Sequence, residues 1–213
     1  MLRKRILSAL VLAPVALFAT WVGSWVFALL IAVGAVIAAW EWMRLVGWSA
    51  GWMAGGVVYI GVPVAALLWL RDQDRETAFW LLLVVWATDT LAYATGRLIG
   101  GWKLFPRISP RKTWAGLIGG VVGATLTGGL AAAALRLAVA PWALAVASAL
   151  LALVAQGGDL FESAVKRHFH AKDTGTLIPG HGGLLDRVDG LLAAAPAAAL
   201  FCLVLGGGIT AWH

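Results

Sequence analysis

Three carboxylates stand where carboxylates are costly. Asp89, Asp159 and Glu162 lie within or at the edge of long apolar blocks. A charge there costs at least a few kcal/mol by insertion scales, so each is a candidate for function. Helical spacing organises them. Asp159, Glu162, Ser163, Lys166 and Arg167 fall at offsets 0, 3, 4, 7 and 8, a polar stripe down one helix face. Asp89, Tyr93, Gly96 and Arg97 repeat the pattern at 0, 4, 7 and 8. Two helices thus each carry a buried aspartate that leads to a basic exit, which suits bringing a cation and a polyanion to a membrane surface. The plainer reading of each acid is a polar contact between helices, or a position already at the interface.

The stretch after the first stripe is richer. It carries His168, His170, Lys172, Asp173, Gly175, Pro179, Gly180, His181, Gly182, Gly183, Asp186, Arg187 and Asp189. Its glycines and proline predict a tight, irregular backbone able to aim N–H groups at phosphate oxygens. Asp186 and Asp189, three apart, share a face on a helix. Paired hard carboxylates suit Mg²⁺, which takes oxygen ligands and keeps positions for water and phosphate. Lys166, Arg167, Lys172 and Arg187 supply charge for a triphosphate. The histidines fit no common zinc spacing and have no cysteine partner. His181, between glycine turns, reads better as a phosphate hydrogen-bonding group.

A second polar loop, 100–114, holds Lys103, Pro106, Arg107, Ser109, Pro110, Arg111, Lys112 and Thr113. Thr113 is a natural N-cap for the next helix, and a helix N-terminus beside Arg111 and Lys112 is an anion site. Either loop could instead be an ordinary solvated or topogenic segment.

The elements that must position these groups are membrane helices. Of 213 residues, 62% are hydrophobic and 12% charged, against about 25% charge in soluble domains. Ile6–Trp40 would make one helix of about 52 Å, beyond a ~30 Å hydrocarbon core, so it reads as two helices turning near Ala19–Trp25. A cleaved signal peptide is disfavoured there, because a second apolar block follows without a polar break. Further blocks run at about 52–70, 78–99, 115–135, 142–165 and 190–210. The expectation is an all-α, polytopic bundle of about seven spans in a single domain, 1–213. Residues 1–77 form its N-terminal spans, 78–195 its catalytic core and 196–213 the end of its last span. The Gly/Ala-rich block 117–134 suits close helix packing.

With the N-terminus inside, 13 of the 16 Lys and Arg residues fall on one side, and only Arg71, Arg75 and Arg136 on the other. That agrees with the positive-inside rule and places both polar loops in the cytoplasm. The net charge of +6 is thereby accounted for without nucleic acid. The single cysteine, Cys202, permits no disulfide within the chain.

Ser163-Ala-Val-Lys166-Arg167, Lys172-Asp173-Thr-Gly175 and Pro179-Gly180-His181-Gly182-Gly183-Leu-Leu-Asp186-Arg187-Val-Asp189 together closely resemble the 27-residue signature of phosphatidate cytidylyltransferases. Asp89-Thr-Leu-Ala-Tyr93-Ala-Thr-Gly96-Arg97 and Ser109-Pro110-Arg111-Lys112-Thr113 look like two further blocks of that family. The resemblance covers about residues 80–195. Ala115 stands where many of these proteins have Glu, and the chain is short at its N-terminal end beside them.

The resemblance implies transfer of CMP from CTP to phosphatidate, giving CDP-diacylglycerol and pyrophosphate, by a homodimer in the bacterial inner membrane. It implies Mg²⁺ on Asp159 and Asp186 with Asp189 as a further ligand, and has room beside it for a second, monovalent cation such as K⁺. Lys166, Arg167, Lys172 and Arg187 would hold CTP or pyrophosphate. Ser109, Arg111, Lys112 and Thr113 would hold a phosphate, that of the lipid. Asp89, Tyr93, Ser163, Asp173, His181, Gly182 and Gly183 would line the substrates. A CTP-dependent polyprenol kinase or archaeal-lipid cytidylyltransferase would use a similar cavity. An ion-coupled transporter would put its site near the midplane and show a matching second half.

Overall fold

The computed structural model describes residues 2–175 and 182–212. Among these are seven helices: α1 (Leu2–Val22), α2 (Ser24–Val46), α3 (Ala50–Gln73), α4 (Arg75–Leu98), α5 (Trp114–Ala134), α6 (Pro141–His168) and α7 (Leu185–Leu205). Helices α2 to α7 are each long and apolar enough to cross a membrane, and α1 carries the shorter apolar segment Val11–Val22. Large apolar side chains such as Trp25, Val36, Val57, Leu130 and Val204 point outward, as a lipid-facing surface requires. The core between the helices is built on Trp80, Leu81, Val84, Leu144, Leu151 and Ala198.

The break inside the long first apolar run falls at Gly23, with φ +67°. Arg71 of α3 fills the crook. Its Nε donates to Thr20 O at 2.7 Å, which gives a terminal carbonyl of α1 a partner. A Cβ on Gly23 would occupy the place of that guanidinium, so the turn needs glycine on two counts. Asp74 caps α4 through Thr77 N, and its other oxygen accepts from Thr210 Oγ1 at 2.8 Å. The α3–α4 turn and the segment after α7 therefore lie at one end of the bundle.

Helix α5 bears out the packing expectation. A Cβ on Gly116 would stand 2.9 Å from Ala92 O, and one on Gly120 would stand 3.0 Å from Thr88 O. The backbones of α4 and α5 approach too closely for larger residues. Farther along, Gly128 meets Ser148 of α6 in the same way.

Two features depart from expectation. The loop 100–114 forms an antiparallel hairpin of β1 (Lys103–Phe105) and β2 (Ser109–Thr113), with Pro106 in its turn. Trp114 N extends the pairing by donating to Trp102 O at 3.0 Å. The last helix begins at Leu185 rather than near 190, so Asp186 and Asp189 belong to its first turns.

Candidate active site

At the end of the bundle opposite Asp74, α2 and α6 finish, α7 begins and the hairpin folds over. Asp186 is the hub. Its side chain is 6% exposed, and its Oδ1 meets Lys166 Nζ at 2.5 Å. Its Oδ2 accepts from Thr174 N at 2.9 Å, Thr174 Oγ1 at 2.9 Å and Gly183 N at 2.8 Å. One carboxylate thus ties the last turn of α6 to both described ends of the signature loop. The loop cannot pass so close with a side chain in the way. Gly182 has φ +84°, and a Cβ there would stand 2.8 Å from Asp186 Oδ2.

A second group forms between α4, α6 and α7. Asp159 Oδ2 pairs with Lys112 Nζ at 2.7 Å, and Lys112 also reaches Gln156 O at 3.3 Å. Ser163 Oγ lies 3.3 Å from Asp159 Oδ1. Asp89 lies within electrostatic range of Asp159, Asp189, Lys112 and Arg187. Glu162, 1% exposed, lies against Asp189 and 3.4 Å from Lys166 Nζ. Neither of its oxygens receives a hydrogen bond.

The first stripe lies along one face of α6, with Glu162, Ser163 and Lys166 buried against the site. Asp159, expected to be buried, has a side chain 37% exposed, because it reaches out to Lys112. The stripe's last member does not stay with it. Arg167 turns outward, donating to Ile108 O at 3.3 Å and Ala171 O at 2.9 Å, so it laces hairpin to loop. The second stripe divides. Asp89, expected to be buried, is exposed and lies within electrostatic range of Asp159 and Asp189, Gly96 packs on α5, and Tyr93 accepts from Arg97 Nη1 at 2.9 Å on an exposed face. Ser109 opens β2, while Arg111, Lys172, Asp173 and Arg187 lie at the surface around the cluster. His181 lies outside the described residues. Thr113 caps α5 as predicted, accepting from Gly116 N at 3.1 Å. That cap and the Trp114–Trp102 bond take two of the N–H groups expected to face an anion, and Lys112 points to Asp159 instead.

Residues 47–205 match the Cytidylyltransferase family model. The chain belongs to that family. It is 50% identical to a Brucella melitensis protein named phosphatidate cytidylyltransferase over 125 residues, 59% of this chain and 46% of that one. A Rickettsia felis protein of the same name is 37% identical over 203 residues, covering 90% of this chain and 88% of its own. A Staphylococcus haemolyticus protein, again so named, is 43% identical over 114 residues, 54% and 44% of the two chains. The match thus spans under half the length of the Brucella protein and most of the Rickettsia one. The family read from the signature motifs is the family found.

The cluster offers oxygen ligands of the kind a hard cation takes. Glu162 brings two buried oxygens that receive no hydrogen bond among the described residues, one of them paired with Lys166, beside Asp189. Adjacent carboxylates call for positive charge beside them; Lys166 supplies one such charge, and Asp189 accepts from Gly190 N at 2.8 Å. Among the described residues no three acidic, His or Cys groups enclose an ion by themselves. A bound ion would complete its shell with water and substrate phosphate, as Mg²⁺ commonly does. Asp186 differs, because all its near partners are donors of the loop and of Lys166.

Two residues of the site were not singled out in the sequence. Thr174 gives Asp186 both a backbone and a side-chain donor. Glu41 of α2 is fully buried and accepts from Leu184 N and Leu185 N. A lone acid inside an apolar helix is the signal that could have found it.

Proposed function

We propose that this cytidylyltransferase-family chain transfers CMP from CTP to phosphatidate, forming CDP-diacylglycerol and releasing pyrophosphate. The observation that carries this reading is the meeting of Lys112 and Asp159 with Lys166 and Asp186 at one end of an apolar bundle. Cations and carboxylates for phosphates are thereby concentrated where water and lipid adjoin. The relatives' shared name supplies the substrate pair.

A phosphatidate phosphate oxygen attacks the α-phosphorus of CTP, and the bond to the β-phosphate oxygen breaks as pyrophosphate leaves. Such transfer relies on alignment and neutralisation of the phosphates more than on covalent help. Lys166, Arg167, Lys172 and Arg187, on or beside the signature loop, hold the triphosphate and then the pyrophosphate. Lys112, with Ser109 and Arg111 of the hairpin, takes the lipid phosphate, while Thr113, expected to join them, is buried as the cap of α5. Asp159 and Asp189, with water and substrate phosphate completing the shell, would hold Mg²⁺, which neutralises phosphate charge when bound. Glu162 stands beside Asp189, and a monovalent cation suits the same carboxylates. Asp186 keeps the loop against Lys166. Asp89 lies within electrostatic range of Lys112 and Arg187, one from each phosphate-binding group.

The charge asymmetry supports a cytoplasmic orientation for this end, where CTP is, in a bacterial inner membrane. A homodimer is the assembly that the family resemblance carries. The test is purified protein in mixed micelles with CTP, phosphatidate and Mg²⁺. CDP-diacylglycerol should form in step with pyrophosphate, and its absence would remove the assignment.

A further inference from the structure

Glu41 lies in an otherwise apolar stretch of α2 and is 0% exposed. A buried carboxylate is costly unless hydrogen-bonded. Among the described residues, every hydrogen bond it accepts comes from the signature region. Leu184 N donates to Oε1 at 2.8 Å, Leu185 N donates to Oε2 at 2.9 Å, and Thr174 Oγ1 stands 3.3 Å from Oε2. The two backbone donors belong to the start of α7, where N–H groups lack partners within the helix. Thr174 belongs to the other described end of the loop. The loop is also shaped around this acid. A Cβ on Gly175 would stand 2.8 Å from Glu41 Oε1, its three nearest atoms all belonging to Glu41, and one on Gly183 would stand 2.5 Å from Oε2.

We infer that Glu41 is a positioning residue that fixes the nucleotide-binding loop from outside the signature. It gathers Thr174, Leu184 and Leu185 about one carboxylate, while Asp186 gathers Thr174 and Gly183 about another. The two acids share Thr174 and together set where Lys172, Asp173 and the start of α7 stand. This inference rests on the proposed use of that loop for CTP.

The test uses the full chain in mixed micelles. Glu41→Ala should raise the apparent KM for CTP by about tenfold or more, the low end for lost charge-assisted hydrogen bonds, with the phosphatidate KM unmoved. Glu41→Gln, which keeps one acceptor oxygen, should fall between Glu41→Ala and the parent. Gly175→Ala should give the same nucleotide-selective defect, and should add nothing in the Glu41→Ala background, because the clash it makes is with Glu41. Equal rises in both constants, unchanged kinetics, or additive defects in the double variant would each overturn the inference. A second readout is independent of turnover. Tryptic cleavage after the exposed Lys172 should be faster in Glu41→Ala than in the parent. If the parent makes no CDP-diacylglycerol, the proposed reaction fails and cleavage alone decides: faster cleavage upholds Glu41 as the loop's anchor, and an unchanged rate removes it.

Discussion

Lys112 of β2 and Asp159 of α6 form an ion pair of 2.7 Å, so the hairpin is held charge to charge over the signature helix. The pair joins the group assigned to the lipid phosphate to the group assigned to the cation. Replacing Lys112 by Ala removes the phosphate's partner and leaves Asp159 without its own. Losing one charge-assisted hydrogen bond costs roughly 1.5–3 kcal/mol, about 10- to 150-fold. Surface-dilution kinetics should show that rise in the phosphatidate constant and little change in the CTP constant. A rise confined to CTP would reassign the hairpin to the nucleotide.

Asp186→Asn keeps the shape of the hub and removes its charge. Its amide nitrogen cannot accept, so either Lys166 or the Thr174 and Gly183 donors lose a partner. With two or more such bonds at stake, turnover should fall by roughly a hundredfold or more. Circular dichroism should show unchanged helix content, because the apolar core is untouched. Parental turnover in this variant would contradict the role given to Asp186.

Turnover should stop in excess EDTA and return with Mg²⁺. Glu162→Gln, which takes charge from the buried carboxylate beside Asp189, should raise the Mg²⁺ concentration needed for half-maximal rate. Undiminished turnover in EDTA would show that the carboxylates serve another purpose. A Mg²⁺ dependence unchanged in Glu162→Gln would place the ion elsewhere.

The spans were legible because the bilayer demands about 20 apolar residues per helix, and the turn near Gly23 because 52 Å does not fit that thickness. The polar stripe of Asp159, Glu162, Ser163 and Lys166 was legible because helical spacing is fixed. The hairpin was not, since Lys103–Phe105 and Ser109–Thr113 show no apolar alternation, and their pairing depends on a turn at Pro106. The convergence of Asp89 on Asp159 and Asp189 is tertiary, set by the close α4–α5–α6 packing that α5's glycines allow. Glu41 was hidden between Trp40 and Trp42, at the end of a run that reads as lipid anchor.

The two ends of the bundle should face different compartments. Arg107→Cys at the exposed hairpin turn and Asp72→Cys at the opposite end, each in a Cys202→Ala background, should differ in intact cells. A membrane-impermeant thiol reagent should label the second and spare the first until the membrane is opened. Labelling of position 107 from outside would invert the topology and cut the site off from cytoplasmic CTP.

The central claim is the reaction itself. Purified chain in detergent micelles, given phosphatidate, Mg²⁺ and CTP labelled in the α-phosphate, should move the label into an organic-extractable product. One pyrophosphate should be released per CDP-diacylglycerol formed. Label that stays in the aqueous phase, or a γ-phosphate that reaches lipid instead, would contradict the account.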